Sequence, residues 1–257
     1  MKVVIITAAG ISSRFNEGVS EKERCLKIIY YEENKENTLL YHLLEKCRFA
    51  DRIVLVGGYK YDDLKAYCDE LPGFMKDKLI LAYNEHYADL ASGYSLYVGL
   101  KIIFDCLKDV EEVLFSEGDL DIDKASFYRI IDSKKNVLTY SFEPIYARKA
   151  VALYQDGQGH FHYIFNHNHG LLKIDEEFSL IFNSGQIWKF TDIGALKTAG
   201  EKFYQIKKEE TNLYIIQNYI DLCDTESFEL IPLLKWTNCN TREDYRNLLS
   251  NWKEDAG

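Results

Sequence analysis

Residues 3–14, Val3-Val4-Ile5-Ile6-Thr7-Ala8-Ala9-Gly10-Ile11-Ser12-Ser13-Arg14, run from an apolar strand straight into a loop suited to phosphate. Val3 to Thr7 is β-branched without a break, the pattern of a strand buried on both faces in a parallel sheet. Behind it, Ala8, Ala9 and Gly10 are small enough for a phosphate to come close to the backbone, and glycine takes conformations that other residues resist. Ser12, Ser13 and Arg14 complete the loop, and Arg24-Cys25-Leu26-Lys27 follows it. Arg14 and Lys27 would neutralise a triphosphate and its departing pyrophosphate. The alternative is a tight strand-to-helix turn with ordinary surface cations. A dinucleotide fingerprint is excluded because G-x-G-x-x-G is absent, and a P-loop because no G-K-[ST] follows.

Working outward, similar apolar runs recur at 52–56, 79–82, 112–115 and 136–140. Between them, helical spacing marks Thr38 to Phe49, a shorter stretch through Leu64, Tyr67, Cys68 and Leu71, and Ser92 to Leu107. Strand alternating with helix predicts an α/β fold, a mostly parallel sheet covered by helices on both faces. Beyond Phe142 the pattern changes. Residues 148–188 carry short alternating segments punctuated by Gly157, Gly159, Gly170 and Gly185, which predicts antiparallel sheet. Helices are then expected at Thr191 to Tyr204 and Thr211 to Leu222, a strand at Phe228 to Leu233, and a last helix ending at Trp252. Thr241 followed by Asp244 resembles a capping box for that helix. The expectation is one domain, 1–257, interrupted by a smaller β-rich insertion at about 142–222.

The chain has 31 basic and 41 acidic residues, a net charge of −10. An acidic surface repels phosphate backbones and anionic headgroups, so neither nucleic acid nor membrane is an expected partner. No apolar run approaches the roughly 18 residues of a membrane span. The N-terminus lacks the layout of a signal peptide, and the six cysteines are scattered without a CxxC. A reduced, soluble, cytoplasmic protein is expected.

A second chemical feature ends the 112–115 strand: Phe115-Ser116-Glu117-Gly118-Asp119-Leu120-Asp121. Ligands of open α/β sheets bind at the carboxyl ends of the strands, so Asp119 would share a rim with the first loop. A carboxylate there is a hard ligand for Mg²⁺ bridging phosphates; otherwise the cluster is a solvated turn, with Asp121 or Asp123 as the helix cap. Gly57-Gly58-Tyr59, after the second strand, would flank a nucleotide base or form a plain glycine turn. His160, His162, His167 and His169 form a run in which a solvated hairpin is favoured over a metal site. Tyr140, Tyr146 and Trp188 are candidates to line an acceptor pocket.

The order A-A-G-x-x-S-R, a lysine, E-G-D after a strand, then Asn240-Thr241-Arg242-Glu243-Asp244 resembles the nucleotidyltransferase family of NTP-dependent pyrophosphorylases. Tyr83-Asn84-Glu85-His86-Tyr87 with Ser92-Gly93-Tyr94-Ser95-Leu96-Tyr97 is similar to its branch of phosphocholine and aminoethylphosphonate cytidylyltransferases. The resemblance covers nearly the whole chain. It implies a Rossmann-like (GT-A-like) sheet, Mg²⁺ as cofactor, CTP as donor, and Ser92 and Gly93 at the base or ribose. Two departures stand out: the basic loop usually ends Pro-Lys where this chain has Leu26-Lys27, and a second metal-binding aspartate is replaced by Asn240. The Asn240 carbonyl would bind Mg²⁺ or a metal-bound water without adding charge, or the residue would cap the last helix. The implied reaction is attack of an acceptor phosphate or phosphonate oxygen on the α-phosphorus. Aromatic and acidic residues in the insertion, with the resemblance, suggest a small zwitterionic phosphorylated acceptor such as phosphocholine, aminoethylphosphonate or phosphoglutamine. The alternatives are a sugar-1-phosphate nucleotidyltransferase, a nucleotide-sugar glycosyltransferase using Asp119-Leu120-Asp121, and a non-catalytic nucleotide-binding regulator.

Overall fold

The computed structural model describes residues 1–147, 151–165 and 172–255. In chain order the elements are β1 (Lys2–Ala8), α1 (Leu39–Lys46), β2 (Arg52–Gly57), α2 (Tyr61–Asp69), α3 (Gly73–Lys76), β3 (Leu79–Tyr83), α4 (Ser92–Cys106), β4 (Glu112–Glu117), β5 (Leu120–Ile122) and α5 (Lys124–Asp132). They continue with β6 (Asn136–Ser141), β7 (Ala152–Asp156), β8 (Phe161–Tyr163), β9 (Phe178–Phe190), α6 (Ile193–Ile206), α7 (Leu213–Leu222), β10 (Phe228–Leu233), β11 (Trp236–Asn238) and α8 (Arg242–Asp255). The main sheet runs β10-β6-β9-β4-β1-β2-β3, parallel except for β9.

The unbroken apolar character of β1 follows from its place in the middle of the sheet. Side chains alternate across a strand, so Val4 and Ile6 join the core under α1, α2, α5 and α8, while Val3 and Ile5 join the core under α4, α6 and α7. Helix starts are fixed by side chains that accept from orphan backbone N–H groups: Thr38 from Tyr41, Asp123 from Ser126 and Asp192 from Ala195. Asp192 explains why α6 begins at Ile193, two residues later than its periodicity suggests.

The expected insertion is in part the centre of the sheet. The second half of β9 lies between β4 and β6, antiparallel to both; its first half carries the β7–β8 hairpin. The register shifts between Leu138 and Tyr140, where Gln186 has φ 57°. At this bulge Thr139 replaces the missing ladder partners: its hydroxyl donates to the Ile187 carbonyl (2.7 Å) and accepts from the Ile187 N–H (3.2 Å). Helices α6 and α7 pack on α4 as part of the main core. In the hairpin, His160 and His162 both turn to one oxygen of Asp156, at 3.4 and 3.0 Å. His167, His169 and Gly170 lie outside the described residues. No group of three or more His, Cys, Asp or Glu among the described residues is arranged to hold a metal ion. No described helix is long and apolar enough to cross a membrane.

Lys189 of β9 is 2% exposed and spends its ammonium on the end of α5, donating to the carbonyls of Ile131 (3.0 Å) and Ser133 (2.7 Å), and on Glu112 (2.9 Å). Burial alone would raise the Glu112 carboxyl, but hydrogen bonds from Lys189 and Lys2 outweigh it and hold the group below the usual glutamate value. Its stabilisation is therefore complete above the ordinary glutamate range and lost as pH falls through the depressed value. Lys189→Met should cost roughly 3–5 kcal/mol in denaturant unfolding at neutral pH, because it leaves buried acceptors unpaired. The same variant should show a weaker loss of stability on the acid side.

Candidate active site

A cleft of about 350 Å³ opens at the carboxyl ends of β1 and β4. Residues 7–15, Lys27, Ser92, Asp119 and Asn240 line it, so ten of the sequence-derived candidates meet in one place: Ala8, Ala9, Gly10, Ser12, Ser13, Arg14, Lys27, Ser92, Asp119 and Asn240. The loop after β1 is held by Asn16, a buried residue whose amide donates to the carbonyls of Ser12 (3.0 Å) and Cys25 (2.8 Å) and accepts from the Cys25 N–H (3.0 Å). Ser12 takes the left-handed conformation, φ 54°, and its hydroxyl accepts from the Lys27 N–H at 3.3 Å. The unusual backbone expected of Gly10 is therefore found at Ser12. Gly10 itself has no atom within 4 Å of where a Cβ would sit. Close approach matters at Gly118, where a Cβ would lie 2.8 Å from the Thr7 carbonyl and 2.5 Å from Ile28. Its absence lets the chain leave β4 flush with β1 and turn Asp119 over Lys27.

Lys27 Nζ donates to Asp119 Oδ2 at 2.6 Å and to Asn240 Oδ1 at 3.5 Å. Asp119 and Asn240, far apart in sequence, meet because β5 and β11 form a short antiparallel ribbon and the Cys239 N–H donates to the Asp119 carbonyl at 2.8 Å. The cap of α8 is made by other groups. Asp244 accepts from the N–H groups of Asn240 (2.9 Å) and Thr241 (2.8 Å), and the Thr241 hydroxyl accepts from the Asp244 N–H at 3.1 Å. The Asn240 side chain is thus left to the cleft. Glu117, beside them, accepts from Asn212 at 2.7 Å; burial, then the neighbouring Asp119 charge, pushes its carboxyl up to about 7.

Asp119 Oδ1 is buried without a hydrogen-bond partner. An orphaned carboxylate oxygen beside a side-chain carbonyl is a hard, oxygen-only donor set that suits Mg²⁺, which takes one or two carboxylates together with phosphate oxygens and water. The residues present therefore fit the ion that the sequence implies.

Trp188, Gly93 and Gly57 do not take the places expected of them. Trp188 is fully buried, stacked on Phe115 with centroids 5.1 Å apart, and its indole donates to Tyr163 at 2.6 Å, so no acceptor can reach it. Gly93 faces Phe203 and the Glu210 carbonyl, to which its N–H donates at 3.2 Å; it packs α4 rather than meeting a nucleotide. Gly57 packs against Tyr61 and Leu64, also outside the cleft. Ser92 lines the cleft, but its hydroxyl accepts from the Asn212 N–H at 3.3 Å. Tyr140 lies outside the cleft, half-buried against Phe182 and Phe142, with centroids 4.8 and 5.6 Å away. Arg14 stands exposed at the cleft's mouth. Sequence reasoning missed Asn16, Glu117, Asn212 and the buried Asn84, whose amide donates to Ser95 at 2.9 Å within the cleft wall. Glu117 and Asn84 stand in the motifs that carry the resemblance, whereas Asn212 falls in an expected helix and Asn16 in an expected loop, with no local signal of a role.

Asp121 separates from Asp119 in role. One oxygen accepts from Lys46 at 2.6 Å and the other from Trp252 at 3.1 Å, so both are committed to joining α1, β5 and α8. Asp121→Ala should cost roughly 3–5 kcal/mol of stability, since it strands a buried ammonium. Activity per folded molecule should fall far less than in Asp119→Ala; equal catalytic losses at equal stability would contradict the division. For Glu117, the folded carboxyl binds its proton more tightly than the unfolded one. Stability of the metal-free protein should therefore decline as pH rises from the ordinary glutamate range to about 7, and Glu117→Gln should flatten that slope.

No curated protein matches this chain in sequence. Solved structures do match in fold. The inositol-1-phosphate CTP transferase from T. maritima aligns with a TM-score of 0.65 at 16% identity, over 95% of this chain and 91% of that one. The CTP:phosphocholine cytidylyltransferase from Streptococcus pneumoniae gives 0.59 at 14%, over 96% and 97%. A UDP-glucose pyrophosphorylase complexed with UDP-glucose gives 0.68 at 12%, over 99% of each chain. The mixed α/β architecture, a mostly parallel sheet flanked by helices, is the fold of these nucleotidyltransferases. Over residues 23–252 the sequence matches the family described as Domain of unknown function (DUF6564), and the chain belongs to that family.

Proposed function

We propose that this protein is a Mg²⁺-dependent nucleotidyltransferase that joins CMP from CTP to a small zwitterionic phosphorylated acceptor and releases pyrophosphate. The observation that carries the proposal is the convergence, in one cleft, of the Lys27–Asp119 pair, an orphaned Asp119 oxygen and the Asn240 carbonyl beside the loop after β1. A phosphate or phosphonate oxygen of the acceptor bonds to the α-phosphorus as the bond to the bridging oxygen of pyrophosphate breaks. The attacking oxygen is already anionic, so no protein nucleophile or base is needed. Lys27 donates to the α-phosphate as negative charge shifts toward the leaving group, and Arg14 meets the pyrophosphate at the mouth of the cleft. Backbone N–H groups of Ala9 to Ser13 hold the phosphates in line for displacement. Mg²⁺, held by Asp119 and Asn240, supplies further neutralisation of the phosphates when bound.

The preference for CTP draws support from the sequence resemblance and from two of the matching structures, which are CTP-dependent enzymes by name. On the acceptor side, Tyr140, Phe142 and Phe182 form an aromatic group at the carboxyl end of β6, with Phe142 69% exposed. Aromatic faces attract an ammonium, which supports phosphocholine, aminoethylphosphonate or phosphoglutamine over a hexose 1-phosphate. The glycosyltransferase alternative loses its motif, because Asp121 is bound to Lys46 and Trp252.

The test is a pyrophosphate-release screen crossing the four ribonucleoside triphosphates with these acceptors and with sugar 1-phosphates. CTP with a zwitterionic acceptor should give the highest kcat/KM. A better rate with another nucleotide overturns the cytidylyl assignment, and preference for a sugar 1-phosphate overturns the acceptor class. Lys27→Ala and Asp119→Ala should each lower kcat by about a hundredfold or more, the scale for losing a preorganised electrostatic contact.

A further inference from the structure

The Asn240 amide has two ends of opposite chemistry, and the end facing Lys27 decides what the residue can bind. Half a turn about its last bond exchanges a carbonyl for an NH₂ at nearly the same position, so its partners set the orientation. Nδ2 donates to Oδ1 of Asn238 at 2.9 Å and lies 3.4 Å from the Asn238 backbone carbonyl; Oδ1 accepts from Lys27 at 3.5 Å. Two of these partners have fixed polarity, since a backbone carbonyl only accepts and an ammonium only donates. Both select the same orientation, and the Asn238 side chain makes the shortest of the three contacts. Asn238 pairs with Leu120 in the β5–β11 ribbon, next to the backbone link between Cys239 and Asp119. The strand pairing that positions Asp119 therefore also positions the group that orients Asn240.

We propose that Asn238 is a positioning residue: it locks the Asn240 amide with its carbonyl oxygen toward Lys27 and Asp119, and so fixes the second protein oxygen for a divalent cation bound with the nucleotide. This rests on the nucleotidyl-transfer reading above. Without the Asn238 side chain only the two long contacts, at 3.4 and 3.5 Å, hold the Asn240 amide, so it can rotate and turn its NH₂ toward the same space, where it repels a cation. A carboxylate at position 238 preserves the lock because it accepts the same hydrogen bond. Alanine or leucine removes it.

The experiment measures Mn²⁺ bound together with a non-hydrolysable CTP analogue, by water-proton relaxation, alongside the KM for Mg²⁺ in pyrophosphate release. Asn238→Ala and Asn238→Leu should each weaken Mn²⁺ retention by about tenfold, the scale for losing a partner that orients a metal ligand. They should raise the KM for Mg²⁺ while leaving kcat at saturating Mg²⁺ near wild type. Asn238→Asp should keep wild-type affinity, and Asn238→Ala combined with Asn240→Ala should be no worse than Asn240→Ala alone. Wild-type Mn²⁺ affinity in both Asn238→Ala and Asn238→Leu overturns the proposal, as does a loss that persists undiminished in the Asn240→Ala background. Failure of the nucleotidyl-transfer reading looks different: wild-type protein retains Mn²⁺ with the analogue yet releases no pyrophosphate from any nucleotide. The relaxation titration still decides the role of Asn238 in that case.

Discussion

The Lys27–Asp119 ion pair is the contact on which the geometry of the cleft depends. Both side chains are largely withdrawn from water, 18% and 20% exposed, so each has lost hydration that the pair must replace. Such a pair persists only where the backbone on both sides is held, and here it is. Ser12 and Asn16 fix the Lys27 segment against the loop after β1, while the close approach at Gly118 and the β5–β11 ribbon fix Asp119. The asymmetry of the pair matters chemically. One Asp119 oxygen is neutralised by the ammonium and the other has no partner, so the site retains unused acceptor capacity beside a cation. In the proposed reaction, phosphate entering the cleft shares Lys27 with a carboxylate already desolvated by folding, so little of the electrostatic reorganisation remains for the chemical step.

Hydrogen bonds divide the acidic cluster that sequence presents as a unit. Asp119, Asp121 and Asp123 alternate along a short stretch, yet Asp123 caps α5, Asp121 ties α1 to α8, and only Asp119 retains a buried oxygen without a partner. Buried polar atoms in native proteins are nearly always paired, so within this acidic cluster the unpaired oxygen sets Asp119 apart from Asp121 and Asp123. Thr241 and Asp244 satisfy each other at the start of α8, whereas the Asn240 side chain is left for the cleft.

What was legible in the sequence follows from range. The continuous β-branched run at Val3 to Thr7 announces a buried parallel strand because Val3 to Ile6 face the two cores in turn and only Thr7 reaches the cleft. β9 was not legible as a central strand, because it carries Asn183, Ser184, Gly185 and Gln186 through the interior, their polar groups satisfied by Ser141, Tyr163 and others. Both faces of its second half are covered, Ile187 by one core and Trp188 by the other, so Trp188 is buried whichever way the strand alternates. Arg14, Lys27 and Asp119 could be chosen because charge beside a glycine-rich rim has few structural uses. Asn212 could not, since only the fold brings it to Glu117, and Asn16 and Asn238 could not, because their partners are near in sequence but only the fold places them at the cleft.

Crowding of charge gives a physical reason for an amide at position 240. Glu117 already has its carboxyl pushed up to about 7 by burial and by the charge of Asp119. A further carboxylate at 240, within reach of the same lysine, would add like charge to a partly dehydrated site and oppose the approach of a polyphosphate. An amide carbonyl offers lone pairs without that repulsion, but a rotatable amide is a useful ligand only if something decides which end faces inward. Lys27 and the Asn238 backbone carbonyl favour one orientation through long contacts, and in the proposal above the Asn238 side chain secures it with a 2.9 Å hydrogen bond. In the proposed site the paired asparagines would exchange the stronger metal attraction of a carboxylate for lower repulsion, and the neutral ligand would need a fixed neighbour for the exchange to work.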